Sequence, residues 1–410
     1  MSNLDLNFEV MLVLPELAFF LVAMFLFGAI ICGVPKDAAK TKGILNLLPV
    51  LAVGIVAASI AGFSERGLMF WDAYQIDLLS QFFKVLVAAG YLVTVLNALR
   101  QPTLEEGQRL DYFMFLTFSA WGLVLMASAA ELVTVYLAME LASYSLYILI
   151  PLRAKDKGAA EAGIKYILFG AAATALALYG LSWIIAGQHT TYIAELMGKD
   201  WSFTGNPLAA AGLSLFLGGM FFKLALFPFH FWCPDIYQGA SNETATFVAT
   251  LPKMGAIVVL VRLAAMLEPG TALTNMIAVL AAVSMTFGNL CALVQKDLKR
   301  MLGFSSVAHA GYLLVGLTSC TYQGLGAASF YALAYLSMNL LCFWVISRVA
   351  PDGRNLTYRD LNGLSKRSPW LALALAAAAF SLVGLPPTVG FMGKFWLVVS
   401  AWGHGYDWLV

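Results

Sequence analysis

Charge is what this sequence has least of. Asp, Glu, Lys and Arg make up 11% of its 410 residues, against roughly 25% in an ordinary soluble domain. Hydrophobic residues make up 61% and mean hydropathy is +0.81. That balance excludes a soluble globular chain, and nucleic acid is not an expected partner. Cysteine is sparse too. Cys32, Cys233, Cys291, Cys320 and Cys342 lie far apart, with no C-x-x-C or C-x-x-C-H spacing for an iron–sulfur cluster, zinc or haem. They read as small core hydrophobes. Also missing are any G-x-G-x-x-G or Walker pattern, so no nucleotide loop is offered. No metal or cofactor site is expected in this chain, and any electron chemistry must sit on other chains. The lysine-rich start of a signal peptide is absent as well, because Asp5, Glu9 and Glu16 flank the first apolar run. That run reads as a retained helix.

What is abundant is apolar sequence in runs of about 20 residues, the length that crosses a bilayer core of about 30 Å. Twelve runs are present: 12–32, 44–62, 78–98, 112–129, 132–151, 163–186, 209–232, 244–267, 272–294, 301–320, 324–347 and 370–400. They are too long for barrel strands, and nothing between them makes a sizeable soluble domain. The expected fold is an all-α polytopic membrane bundle. Alternate loops differ sharply in basic charge. One set carries sixteen Lys and Arg residues in clusters such as Lys36–Lys42, Arg153–Lys157, Lys296–Arg300 and Arg348–Arg367, and the other has little beyond Arg66 and Lys199. The positive-inside rule puts the first set in the cytoplasm and the N-terminus outside. The segment "FWCPDIYQGASNET", with Asp235 and Glu243, breaks that pattern and reads as an amphipathic stretch at the interface.

Few ionisable groups remain at membrane depth: Lys84, Glu140, Lys165, Lys223, Lys253, Lys394, His230 and His309. An unpaired lysine near a helix centre costs about 2.5–3.5 kcal/mol even on the lenient insertion scale, so such residues are functional candidates. Lys84 is close enough to the outer end of its helix to snorkel. Lys165 lies beside the Arg153–Lys157 cluster, where plain positive-inside charge would also account for it. Glu140, mid-run in "VTVYLAMELASYSLYIL", has no lysine near it in sequence and needs a partner from another helix. Lys223, at similar depth, is the expected one. At about 4 Å and an effective dielectric near 20 such a pair interacts by roughly 4 kcal/mol. Making or breaking it would decide whether Lys223 holds its proton. A static ion pair locking the fifth helix to the seventh is the alternative.

In "KLALFPFHFWCPD", Pro228 interrupts the seventh helix just after Lys223. Inside a membrane such a break is tolerated only where the freed carbonyls meet protein, water or an ion. A second break is expected in the twelfth run, in "SLVGLPPTVGFMGKFW", just before Lys394, and Lys253 directly follows Pro252, a third proline break beside a lysine. Two interrupted helices, each with a lysine, suggest two related halves with ion sites at the breaks. His309, in the otherwise apolar "SSVAHAGYLLVG", titrates near neutrality and is placed to pass protons between Lys253 and Lys394. The alternative is a hydrogen-bonded core histidine. His230 either serves the same path or caps freed carbonyls. His404 is interfacial.

These segments resemble the antiporter-like proton-translocating subunits of respiratory complex I and related cation/proton antiporters. The segments are "ELVTVYLAMELASYSLYIL", "EAGIKYILFGAAATALALYG", "FKLALFPFHFWCPDIYQGA", "QKDLKRMLGFSSVAHAGYLLVG" and "LPPTVGFMGKFW", which fall within residues 131 to 400. "FHFWCPDIYQGA" is similar to the W-x-P-D-x-Y-x-G-A element of the subunit N branch in bacterial NADH:quinone oxidoreductase, and "GFMGKF" has lysine where the subunit M pattern has glutamate. The resemblance implies two inverted five-helix repeats with discontinuous seventh and twelfth helices. Residues 1–110 form an N-terminal three-helix segment, 111–268 the first repeat and 269–410 a second repeat. By matching motif, Glu140, Lys223, Lys253 and Lys394 take the family's helix-five, -seven, -eight and -twelve positions. Family members have about fourteen helices, so either the sequence is a fragment or its second repeat lacks its closing helix, which would leave Lys394 poorly shielded. "YQGASNETATFVATLPK" departs from the family's proline-containing form after G-A.

The implied function is outward proton transfer through Lys223, Lys253, His309 and Lys394, with Glu140 setting the state of Lys223. Quinone reduction elsewhere in the complex drives it. Flavin, iron–sulfur clusters and quinone are expected on partner subunits. The expected partners are other membrane subunits of complex I, including neighbouring antiporter-like ones, within the bilayer of the bacterial inner membrane. The rival expectation is a subunit of a Na+/H+ antiporter.

Overall fold

The computed structural model describes residues 10–410 apart from 101, 154 and 155. Asp5, Glu9 and Lys155 lie outside the described residues. The chain forms α1 (Leu14–Ile31), α2 (Ala38–Ala61), a small hairpin of β1 (Gly67–Met69) and β2 (Tyr74–Ile76), α3 (Leu78–Ala98), α4 (Arg109–Ser128), α5 (Leu132–Leu149), α6 (Lys157–Gln188) and α7 (Pro207–Leu224). There follow α8 (Trp232–Gly239), α9 (Asn242–Ala264), α10 (Ala272–Leu293), α11 (Leu298–Thr318), α12 (Tyr322–Val349), α13 (Pro369–Val383) and α14 (Val389–Ala401). Among the described residues, eleven helices are long and apolar enough to cross a membrane, α1 to α7 and α9 to α12. The expected twelfth run is the pair of shorter helices α13 and α14. The protein is an all-α polytopic membrane bundle.

The helix starts are written in the sequence. Asp77, Asp156, Asn206 and Asp297 each accept backbone N–H bonds at an N-terminus that would otherwise leave donors open. At the centre stands α9, with all 23 of its residues buried. It packs against α3, α4, α7, α11 and α12, so its apolar and its polar residues alike meet other helices. Two outer pairs, α6 with α7 and α10 with α11, meet through small residues. A Cβ at Gly212 would lie 2.8 Å from the Gly180 carbonyl oxygen, and one at Gly311 would lie 2.7 Å from that of Ala281. Backbones approach this closely only where glycine or alanine stands at the crossing.

Both expected interruptions are present. The chain leaves α7 at Leu224, with Ala225 at φ 62°, and resumes helix at Trp232. It leaves α13 at Val383, with Gly384 at φ 88°, and resumes at Val389. Pro252 makes no such break, and the expectation of three proline breaks beside three lysines is corrected. It lies inside α9, which continues from Asn242 to Ala264, because every flank of that helix is packed and holds it in line.

Candidate functional site

The buried charges gather along α9 and the helices around it. Lys223 is in the last turn of α7, ahead of the break, and 7% exposed. Its Nζ donates to the Ser143 hydroxyl on α5. Glu140, one turn before Ser143, instead accepts from Thr174 Oγ1 on α6 at 2.8 Å. No Glu140–Lys223 ion pair within 4 Å exists among the described residues, and the expected direct contact is corrected. Ser143 occupies the contact position, while Glu140 remains the charge that acts on Lys223 from farther away. Their coupling is therefore below the roughly 4 kcal/mol of a contact pair. A small cavity bordered by Ser143, Tyr166, Lys223 and Pro252 lies between Lys223 and the Lys253 segment.

Lys253 begins a row of polar and aromatic side chains. Its Nζ donates to Ser306 Oγ on α11. Ser306 lies 2.6 Å from the Tyr335 hydroxyl, which donates to the Ala249 carbonyl at 3.0 Å. Tyr237 joins from α8, 3.3 Å from Ser306. One turn along α11 is His309, 4% exposed, with Nδ1 2.5 Å from the Tyr331 hydroxyl. Its ring packs against Tyr335 and Tyr312, at centroid distances of 5.7 and 5.6 Å. Lys394 Nζ lies 4.5 Å above the Tyr312 ring. That ammonium also donates to the Leu382 and Val383 carbonyls at 2.9 and 3.1 Å, the open carbonyls at the end of α13.

His230 does not join this chain. It is buried in the first break between Phe227, Phe231 and Phe287, and its Nδ1 has no hydrogen-bond partner. The freed Phe222 carbonyl is taken by the Trp232 indole at 2.9 Å, and the Phe227 N–H by Ser284 Oγ at 3.0 Å. Those two groups are capped without His230, whose ring lies beside the Pro228 backbone. Lys165 pairs with Glu161 and Asp235, both at 2.8 Å, and Arg300 holds the other oxygen of Asp235. Asp235 is in α8 and outside the spanning helices. Burial there would raise its carboxyl, and the hydrogen bonds and charges of Lys165 and Arg300 outweigh burial and hold it below the usual range.

Three features escaped sequence reasoning. Lys84 does not snorkel. Its side chain is fully buried, 2.5 Å from Glu16, which also accepts from the Tyr74 hydroxyl. Arg262, at the far end of α9, forms a bidentate pair with Asp77 at 2.9 and 3.0 Å. Lys299, counted above as loop charge, is fully buried and donates to the Ala240 carbonyl at 2.7 Å. In each case the partner is more than 50 residues away in sequence, so neither spacing nor periodicity marks it. Among the described residues no cluster of three or more His, Cys, Asp or Glu could hold a metal ion.

A polytopic bundle with two interrupted helices and a lysine at each, Lys223 buried and Lys394 half-buried, has the form of an antiporter-like membrane subunit. Residues 129–410 match the family described as NADH:quinone oxidoreductase/Mrp antiporter, TM. "NADH-quinone oxidoreductase subunit N 2" of Solidesulfovibrio magneticus is 59% identical over 374 residues, covering 90% of this chain and 79% of the relative. The protein of the same description from Opitutus terrae is 40% identical over 401 residues, covering 97% and 83%. A chain of the respiratory complex I from Thermus thermophilus with bound aureothin superposes with a TM-score of 0.81 at 32% identity, covering 95% of this chain and 84% of that one. A chain of the Mrp complex from Dietzia sp. DQ12-45-1b shares the fold, with a TM-score of 0.84 at 20% identity and coverage of 98% and 76%. The chain belongs to this family, in its subunit N branch.

Proposed function

We propose that the chain is a proton-translocating subunit of a NADH:quinone oxidoreductase. Protons pass between Lys223, Lys253, His309 and Lys394, and Glu140 biases the charge on Lys223. Residues 111–268 and 269–410 act as two repeats, each contributing one interrupted helix, beside an N-terminal segment 1–110. The end bearing Lys299, Arg300 and Arg348 faces the cytoplasm of a bacterial inner membrane, and flavin, iron–sulfur clusters and quinone belong to partner subunits. Complex I relatives at 59% and 40% identity support this reading. A Na+/H+ antiporter has a shared fold behind it at 20% identity.

The observation that carries the proposal is a row of polar side chains leading from Lys253 toward Lys394: hydrogen bonds join Lys253, Ser306 and Tyr335, and ring contacts carry the row on to His309 and Tyr312, above which Lys394 sits. Hydroxyls and an imidazole can each accept one proton while releasing another, which is what a relay between lysines requires. Moving one charge against about 150 mV costs roughly 3.5 kcal/mol. A change in the Glu140–Lys223 interaction on the kilocalorie scale is commensurate with that step. The test is proton pumping coupled to quinone reduction in sealed vesicles holding the assembled complex. Lys223→Ala and Lys394→Ala lower pumping per quinone reduced, and full pumping by both removes the mechanism.

A further inference from the structure

The relay described above begins at Lys253 and leaves open how that lysine is reached from solvent. The helix that carries it supplies a route. Glu243, Thr246, Thr250 and Lys253 are spaced 3, 4 and 3 residues apart on α9, which places them on one face of a helix with 3.6 residues per turn. Ten residues at 1.5 Å each make this polar face about 15 Å long. It runs through a helix on which every residue is buried, where polar side chains are costly unless they do something.

The Thr246 and Thr250 hydroxyls donate to the Asn242 and Thr246 carbonyls one turn back, at 2.8 and 2.7 Å, and their oxygens can still accept. Thr246 Oγ1 accepts from Asn97 Nδ2 at 3.3 Å, and Asn97 also donates to Ser347 at 2.9 Å. Thr250 is adjacent to Ala249, whose carbonyl takes the hydroxyls of Tyr335 and Tyr237, both already in the Lys253 network. At the opposite end is Glu243, 3% exposed. Its Oε2 and the neighbouring Asn242 Oδ1 are buried without a hydrogen-bond partner, the usual mark of ordered water in a polar site. Lys299 from α11, Arg153 from the segment before α6 and Arg348 from α12 act on its carboxylate, and Tyr112 faces it from α4.

Arg153 is shared with the surface. It lines a polar cleft of about 320 Å3 together with Asp235, Gln238, Arg300 and Asn355, and its guanidinium donates to the Gly239 and Ala240 carbonyls. Lys299 donates to the same Ala240 carbonyl. The Ala240 carbonyl thus ties Arg153, which lines the cleft, to Lys299, and both cations act on the Glu243 carboxylate.

We propose that Glu243 is the proton-uptake residue for Lys253, taking protons from the cleft at the basic end of the bundle and passing them along the Thr246/Thr250 face of α9. A hydronium ion in the cleft protonates Oε2, giving the neutral acid and leaving water. Transfer through water along the threonine hydroxyls to a neutral Lys253 amine forms the ammonium and restores the carboxylate. Both changes conserve charge and atoms. The inference rests on the proton-transfer reading above and adds the residue that loads its central lysine.

The experiment uses the assembled complex in sealed vesicles, with pumping measured against quinone reduction across a pH series for Glu243→Gln, Glu243→Asp, Thr250→Val and Lys253→Met. Assembly is checked on native gels. Glu243→Gln is expected to slow coupled pumping on the order of 100-fold, the lower range of what a positioned proton donor contributes, and to shift its pH profile. Glu243→Asp restores most of the rate, and Thr250→Val slows it in the same direction. Wild-type pumping and an unchanged pH profile in Glu243→Gln, with Lys253→Met inactive, would overturn the proposal and leave Glu243 a counter-charge to Lys299, Arg153 and Arg348. Full pumping by Lys253→Met would instead bring down the relay itself. Should neither Glu243 variant assemble, Thr250→Val decides, since normal pumping there refutes conduction along this face.

Discussion

Removing Lys84 tests the accounting of buried charge in this bundle. The Lys84 ammonium and the Glu16 carboxylate are 2.5 Å apart, with side chains 0% and 7% exposed. At an effective dielectric near 20 their attraction is roughly 7 kcal/mol. Desolvation costs several kcal/mol for each ion, so the intact pair contributes little net stability. Breaking it is another matter. Lys84→Met leaves the Glu16 carboxylate buried with only the Tyr74 hydroxyl, also at 2.5 Å, and the expected loss is about 3–5 kcal/mol. Glu16→Leu strands the ammonium at similar cost. The double variant Glu16→Leu/Lys84→Met removes both charges and should be close to neutral, since apolar replacement of a buried pair is often tolerated. The assay is the thermal midpoint of the detergent-solubilised complex, followed by native gel for all four proteins. Both single variants should fall well below wild type and the double variant should recover. If Lys84→Met melts with wild type, the lysine is snorkelling and the burial argument fails. A double variant worse than either single would refute the pair as the source of the effect.

Three further outcomes are expected. Ser306→Ala removes the hydroxyl shared by Lys253, Tyr335 and Tyr237, so pumping should fall on the order of 100-fold while the complex still assembles, as read from vesicle pumping and native gels. Gly212→Leu puts a side chain against the Gly180 carbonyl at the α6–α7 crossing; overpacking costs about 1–3 kcal/mol or more, and the yield of assembled subunit should drop. Asp235 is held below the usual carboxylate range by Lys165 and Arg300 against the opposing effect of burial. Its contribution is therefore present at neutral pH and lost as pH falls through its folded value, below about pH 4. Acid should loosen α8 in the wild type, and Asp235→Asn should be looser already at neutral pH, measured by protease access to the 230–240 segment.

The bundle itself was legible because apolar run length and proline position are local signals. The interruptions after Leu224 and Val383 follow from "FPF" and "GLPP", and Lys223, Lys253 and Lys394 stand out as charges in apolar sequence. Partner choice was not legible. Lys223 is bonded to Ser143 rather than Glu140, and Lys84 to Glu16 across 68 positions of sequence. Both depend on how helices rotate against each other. Pro252 misled because a proline breaks a helix only where its neighbours permit, and α9 is enclosed on all sides. Glu243 was noticed only as an acidic exception to loop charge, yet it opens the polar face of the central helix.

The two interrupted helices place their lysines in one electrostatic setting by different routes. A helix C-terminus carries partial negative charge and unsatisfied carbonyls, and favours a cation nearby. Lys223 belongs to the last turn of α7 itself, and the Phe222 carbonyl beside it is already taken by Trp232. Its ammonium is thereby free to bond sideways to Ser143, toward Glu140 and the neighbouring helices. Lys394 comes from the far side of its break, on α14, and reaches back to the Leu382 and Val383 carbonyls that end α13. These bonds make the ammonium part of the joint between the two half-helices. Under the proposed relay, discharging Lys223 alters a side-chain contact, whereas discharging Lys394 weakens the joint that positions it. Protonation and backbone geometry are therefore coupled at the second break and largely separate at the first, which gives the two ends of the relay unequal roles despite the same residue type.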